Sequence, residues 1–250
     1  MNQLLIPFTL TIIAGLSTMI GILFIFIKCD IDKLTKYSLA FASGVMISVS
    51  IFELIPESIK LLIKSNNKNT CFLYIIIGIL IGIITSLLIN KLIPENNSLK
   101  KPKIYRVGVF SMFAIIIHNI PEGIATFLSS TTNISLGIAL TTAIALHNIP
   151  EGISISVPIY SATNSKKRAV GYTLISTLAE PLGALLGLFF LKPIITDNIM
   201  GFILAIITGI MLYIGIFQLL PNSLKYKEKP KTIIIFLIGF LFMYINVNLI

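Results

Sequence analysis

Eight predominantly apolar stretches, each about 18 to 25 residues long, constrain this chain more than any other feature in it. At 1.5 Å of rise per residue, each can cross a hydrocarbon core of about 30 Å as a helix. They run approximately Leu5–Ile27, Tyr37–Ile59, Cys71–Leu92, Val107–Ser129, Ile134–Ile159, Val170–Leu191, Met200–Leu220 and Thr232–Leu249. Hydrophobic residues are 56% of the chain, charged residues 12%, and mean hydropathy is +0.96, so the solvent for most of this surface is lipid. The stretches are rich in Ile, Leu and Phe without strand alternation, and a backbone in lipid must satisfy its own hydrogen bonds, which points to helices. The expected fold class is an all-α polytopic membrane protein with a single transmembrane domain over residues 1–250.

The formal net charge of +9 does not describe a nucleic-acid binder, because the basic residues sit between the apolar stretches and form no continuous face. They read as a topology signal. With the N-terminus outside, the cytoplasmic loops collect Lys28, Lys33 and Lys36; Lys91, Lys100, Lys101, Lys103 and Arg106; Lys166, Lys167 and Arg168; and Lys225, Lys227, Lys229 and Lys231. That is 15 of the 19 basic residues. Lys60, Lys64, Lys68 and Lys192 remain for the other side, as the positive-inside rule expects, and both termini are then external. Met1–Leu5 carries no basic residue and the first apolar run is long for a signal peptide, so it is expected to stay as a helix. Cys29 and Cys71 fall at opposite faces, so no bridge between them is expected. The Asn- and Lys-rich segment Pro94–Arg106 is the longest polar loop and, having no His or Cys, reads as a cytoplasmic linker.

Two internal repeats organise the chain. Gly44–Lys60 (GVMISVSIFELIPESIK) and Gly209–Lys225 (GIMLYIGIFQLLPNSLK) share eight identities in seventeen positions. His118–Ile124 and His147–Ile153 both read HNIPEGI. In each pair the two helices run in opposite directions, which suggests eight transmembrane helices in a 3+2+3 inverted-repeat arrangement, with a site at the repeat interface.

Both histidines of the chain lie in the HNIPEGI segments. Their spacing puts His118 with Glu122, and His147 with Glu151, on one helical face. Asn119 and Asn148 flank them, and Glu180, in LAEPLGA, lies at the same depth about midway along the sixth stretch. Each carboxylate there costs roughly 2.5 to 3.5 kcal/mol on insertion-based scales unless paired, protonated or wetted. A divalent cation would neutralise them, and imidazole with carboxylate suits zinc, ferrous iron, cobalt or manganese better than magnesium or calcium. Pro121 and Pro150 free the carbonyls of Ile117 and Leu146, a feature tolerated at this depth only in packed protein or beside a cavity. Gly123 and Gly152 are expected to let the two motif helices approach each other closely. The competing reading is a hydrogen-bonded cluster that only fixes helix packing. Glu53 and Gln218, equivalent in the long repeat, are candidates for a metal entrance and exit, or are simply wetted groups near helix ends, as Glu57 is expected to be. Ser176 either joins the lining or bonds its own helix backbone.

At these residues the chain resembles the ZIP (Zrt/Irt-like) metal transporters, and within them a bacterial zinc-transporter branch. The resemblance runs through TIIAGLSTMIG, GVMISVSIFELIPES, HNIPEGIATF, ALHNIPEGISISVPIYSATNSKKRA and LAEPLGA. It implies a binuclear centre in which one ion uses His118, Glu122, His147 and Glu151. A second uses Asn119, Asn148 and Glu180, with Glu122 and Glu151 bridging. It also implies inward movement of zinc, iron, manganese, cobalt or cadmium as substrate, with no resident cofactor, across a bacterial inner or plasma membrane, by an elevator-like motion within a homodimer. Gln218 stands where that branch commonly carries an acid, and the histidine-rich cytoplasmic loop of many members is missing. Two other functions use similar ligands: an intramembrane zinc-dependent hydrolase, disfavoured because there is no HExxH, and a metal-selective channel, which the sequence does not separate from a carrier.

Overall fold

Side-chain caps mark where most of the polar connections turn into helix. Asp30 accepts the backbone N–H groups of Asp32 and Lys33, Asn67 that of Thr70, Asn133 that of Leu136, Ser165 that of Arg168 and Thr196 that of Ile199. Each such cap is worth about 1 kcal/mol. The donation from Lys33 to Asp30 also holds that carboxyl below its usual pKa.

The computed structural model describes residues 2–191 and 196–249, and every regular element among them is helical. In chain order these are α1 (Asn2–Ile20), α2 (Ile31–Val49), α3 (Ile55–Leu62), α4 (Lys68–Leu92), α5 (Pro102–Thr132), α6 (Ile134–Thr163), α7 (Lys166–Thr177), α8 (Ala179–Leu186), α9 (Asp197–Tyr213), α10 (Leu220–Ser223) and α11 (Lys229–Leu249). Tight or widened turns join α1 to Phe26, α2 to α3, α8 to Leu191 and α9 to α10, so several neighbours form one long rod. Seven rods are long and apolar enough to cross a membrane. The eighth, α6, is 30 residues long but falls outside that set, since His147, Asn148, Glu151 and its threonines dilute its hydropathy. Lys192 lies outside the described residues.

Two boundaries differ from the sequence expectation for one reason, the local start signal. Asp30 caps α2, which begins at Ile31, six residues before Tyr37, and Pro102, with φ preset for a first helical turn, starts α5 inside the segment read as a loop to Arg106.

The helices pack in two groups. One holds α1, α5, α6, α7 and α8; the other holds α2, α3, α4, α9, α10 and α11, with α4 and α11 mostly exposed at its edges. The most extensive contact between the groups is α2 on α6. Within the second group, α2–α3 and α9–α10 lie antiparallel: Ser43 donates to the Gly215 carbonyl and Ser58 to that of Gly201. Each rod of this pair contains a π-turn, Ser50–Leu54 in one and Ile214–Leu219 in the other. The same bond closes both, Ile55 N–H to the Ser50 carbonyl and Leu220 N–H to that of Gly215, at equivalent positions of the repeat. Pro56 and Pro221 follow at once, and a proline cannot donate the next helical bond, so a widened turn is the local adjustment.

The basic loops gather at one end of the molecule. Buried Lys36 reaches Glu228 at 3.0 Å, Lys101 bonds Asp32 and Ser161, and Arg106 bonds the Asn90 carbonyl. Lys36, with Lys231 and Tyr37, holds the Glu228 carboxyl down at about 2. At the other end Lys64 pairs with Asp197 at 2.8 Å and Asn66 with Asn198 at 2.7 Å. Cys29 is exposed and Cys71 buried, and both are free thiols.

Candidate metal site

Backbone contact between helices places the acids. Gly123 packs on the backbone of Glu180, Gly183 on that of Ile120, and Gly152 on Thr18 and Gly21. A Cβ at any of these positions would collide with backbone. The expectation that Gly123 and Gly152 bring α5 and α6 onto each other is therefore corrected: Gly123 seats α8 against α5, and Gly152 seats the end of α1 against α6. Both glycines lie one residue past the motif glutamate, on faces turned away from the other motif helix. The result is that Glu180 and the two HNIPEGI segments converge.

His118 lies about halfway along α5 and His147 about halfway along α6, and both are buried. Glu122 Oε1 lies between them, 3.1 Å from His118 Nε2 and 3.0 Å from His147 Nε2. Glu151 Oε1 approaches His118 Nε2 at 3.4 Å. Donor atoms of His118, Glu122 and His147 all lie within 4.8 Å of one another, a spacing that can hold a metal ion. Asn148 donates to Glu180 Oε1 and, at 3.0 Å, to the Ala14 carbonyl of α1. With its amide nitrogen turned inward, Asn119 donates to the Ile115 carbonyl at 3.1 Å and to Glu151 Oε2 at 3.3 Å. The expected ligands are thus gathered as one central trio with Glu151 against His118, and an Asn148–Glu180 pair beside it.

The cluster is underbonded. His118 Nδ1 and Nε2, His147 Nδ1, Glu122 Oε2, Glu151 Oε1, Asn148 Oδ1 and Glu180 Oε2 are buried without a well-formed hydrogen bond. Leaving such atoms unsatisfied costs about 1–3 kcal/mol each. Among the described residues, the ion pairs of Glu122 and Glu151 are with histidine and none is with Lys or Arg. Inward-facing nitrogen and oxygen donors lacking partners are what a divalent transition metal would satisfy, and they leave the packing-only cluster a poorer account.

Residues outside the motifs divide sharply. Glu53, carried in the first π-turn, sits with Oε2 3.7 Å from His147 Nδ1. Glu57 is half-buried with its side chain reaching water, and it pairs with Lys60, as expected of a wetted group. Ser176 donates to the Thr173 carbonyl of its own helix. Gln218, in the second π-turn, contacts the hydroxyl of Tyr213 at 3.4 Å and lines a cavity of about 220 Å³ at the basic end, with Lys103, Arg106 and Lys225. None of the seven ligand candidates lines that cavity. Along α5, Phe110 comes between Val107 of that cavity and His118, and it stacks edge to face on Tyr213 at 5.6 Å within the largest apolar cluster of the described residues. A second cavity, of about 320 Å³, runs from Glu122 and Glu53 to Glu57 and Asp197 at the opposite end. Neither the Ala14 carbonyl nor Tyr213 was readable from the sequence, since a backbone carbonyl in α1 and a core aromatic carry no local pattern.

Fold and site together define a polytopic all-helical membrane protein built around a buried cluster of imidazole, amide and carboxylate groups suited to a divalent metal. A family described as ZIP Zinc transporter matches residues 94–246. The chain is 40% identical over 243 residues to a zinc transporter ZupT of Chlorobaculum parvum, covering 91% of each chain. It is 40% identical over 260 residues to a zinc transporter ZupT of Streptococcus mutans, covering 99% of this chain and 98% of that one. With a zinc transporter ZupT of Campylobacter jejuni it shares 36% identity over 283 residues, 99% of this chain and 97% of that one. The chain belongs to the ZIP zinc-transporter family. Its members are transporters and not enzymes, which sets aside the intramembrane hydrolase.

Proposed function

We propose that this chain carries zinc into the cytoplasm across a bacterial inner or plasma membrane, the ion passing as substrate through the His118, Asn119, Glu122, His147, Asn148, Glu151 and Glu180 cluster at the membrane midplane. Iron, manganese, cobalt and cadmium share the ligand preferences of this set and are further substrates. The observation that carries the reading is the Glu122 carboxylate held between the two motif histidines, amid buried donors that lack partners.

The architecture that fits is eight transmembrane helices in a 3+2+3 inverted repeat, both termini external and the basic loops in the cytoplasm. The matched π-turns and the antiparallel packing of α2–α3 on α9–α10 support it. On this orientation the acidic cavity is the outer approach, with Glu53 on the entrance side, and the cavity at Gln218 is the exit. A carrier is favoured over a channel, because the cavity at Gln218 is lined by none of the seven candidates and the Phe110–Tyr213 pair packs on the same side of the site. The two helical groups supply the moving parts of an elevator-like cycle within a homodimer.

Uptake of radioactive zinc into proteoliposomes containing the wild-type chain, beside the His118→Ala/His147→Ala double variant, tests the reading. Wild-type uptake that is lost in the variant supports it; equal uptake by both rules out this cluster as the path.

A further inference from the structure

Backbones touch within each helical group, but one stretch of the seam between the groups stays open. On one side Gly21 packs on the backbone of Gly152 and Ile153, which closes the end of α1 onto α6. On the other, Gly44 packs on the backbone of Phe236 and Phe240, and Gly239 on that of Phe41, which closes α11 onto α2. A cavity of about 430 Å³ is lined from both sides. Phe24 and Ile27 after α1 and Ile153 of α6 come from one group; Leu34 and Phe41 of α2 and Ile235 of α11 come from the other.

The lining changes character with depth. Along α2 it passes from Lys33 at the basic end through Tyr37 and Ser38 to Phe41, eight residues or about 12 Å further in. Ile27 stands at the rim 51% exposed, so the slot reaches the surface of the molecule, which in a membrane protein is the lipid side. Around that rim the charge is positive. Lys28 and Lys33 are exposed and form no ion pair among the described residues, and Lys166 lies over the exposed ring of Phe26 at 4.3 Å. The nearby acids are engaged elsewhere: Asp30 caps α2, and Asp32 pairs with Lys101.

We propose that this slot holds an acyl chain of an anionic phospholipid, such as phosphatidylglycerol, with the lipid phosphate at Lys33. Basic pockets between transmembrane helices take anionic headgroups, and a lysine stem lies along apolar surface while its ammonium reaches the interface. A zwitterionic lipid offers the same chain, but its own ammonium offsets the phosphate, so the cations at the rim select the anionic headgroup. A free phosphate would leave the apolar depth unfilled. Because the walls belong to different helical groups, the bound lipid is a wedge that holds the groups as they stand here. None of this depends on the transport reading.

The chain contains no tryptophan, so Phe24→Trp puts a single reporter in the slot. In mixed bilayers of phosphatidylglycerol and phosphatidylcholine, its quenching is compared when one lipid or the other carries brominated chains. The expected result is a preference of about fivefold for the anionic lipid, which is what one basic residue near a membrane surface is worth. The preference should vanish in Phe24→Trp/Lys33→Glu and be absent in Leu80→Trp, on the exposed face of α4. Equal quenching by both lipids at position 24, or a preference that survives Lys33→Glu, overturns the proposal. A second measurement needs no reporter. In detergent, saturating phosphatidylglycerol should raise the thermal midpoint of the wild-type chain about 5 °C more than phosphatidylcholine does, and Lys33→Glu should remove the difference. Equal midpoints with the two lipids in the wild type overturn the wedge.

Discussion

The two approaches to His147 are built in opposite ways. From the end where α3 stops and α9 starts, a cavity whose charged lining is Glu57, Asp197, Glu53 and Glu122 reaches the candidate site. At the other end the cavity lining includes Lys103, Arg106 and Lys225, and none of the seven candidates lines it; along α5, Phe110 of the apolar cluster, stacked on Tyr213, lies between that lining and His118. Cross-bracing follows the same division. Lys101 to Asp32 and Arg106 to the Asn90 carbonyl tie the two helical groups together at the basic end, whereas Lys64–Asp197 and Asn66–Asn198 tie members of one group. On the proposed reading a cation is drawn in along one side and held from leaving on the other, as in one state of an alternating-access cycle. The two repeats with a shared π-turn differ in what they face: Glu53 faces His147 while Gln218 faces a tyrosine hydroxyl.

The comparison breaks first at the point where the acidic approach meets the trio. Glu122→Ala is expected to reduce initial zinc uptake at least about 100-fold, the upper end of what losing even an outer-shell partner costs a metal site. Near-normal rates in reconstituted vesicles mean that the acidic cavity does not end in the transport site. Next, the aromatic pair: Phe110→Ala removes the ring packed on Tyr213 and should cost about 3–5 kcal/mol of stability, read as a lower thermal midpoint of the purified chain. No loss of stability would mean that this side is loosely packed. Lys101→Ala removes a brace that joins the two groups, and since exposed pairs are worth about 0–1 kcal/mol the saturating uptake rate should change by no more than about fivefold. An unaltered rate leaves the brace without a role in the cycle. Smallest of all, Glu57→Gln at the cavity mouth should alter KM less than about twofold at physiological salt, where exposed charges are screened; a larger effect would move the metal entrance outward from Glu53.

Much of this is legible in the sequence. Spans follow from hydropathy, the convergence of His118, Glu122, His147 and Glu151 from their four-residue spacing, and the gathering of Lys36, Lys101 and Arg106 at one end from loop charge. What was hidden depends on relations between distant segments. The π-turn that aims Glu53 is an extra residue in a helix, and no residue type announces it, although Pro56 and Pro221 mark where one can form. Gly123 and Gly152 announced close packing but not their partners, because small residues specify an approach distance and not an identity. Pro102 and Asp30 were readable start signals that the apolar windows ran past.

The central claim is that the two motif histidines and their glutamates hold the transported ion. X-ray absorption at the zinc edge of the purified, zinc-loaded chain tests it most directly, beside His118→Ala/His147→Ala. The prediction is a first shell of nitrogen and oxygen at about 2.0–2.1 Å with outer scattering from imidazole, lost in the double variant. An all-oxygen or sulfur-containing shell, or imidazole scattering that survives removal of both histidines, would contradict it.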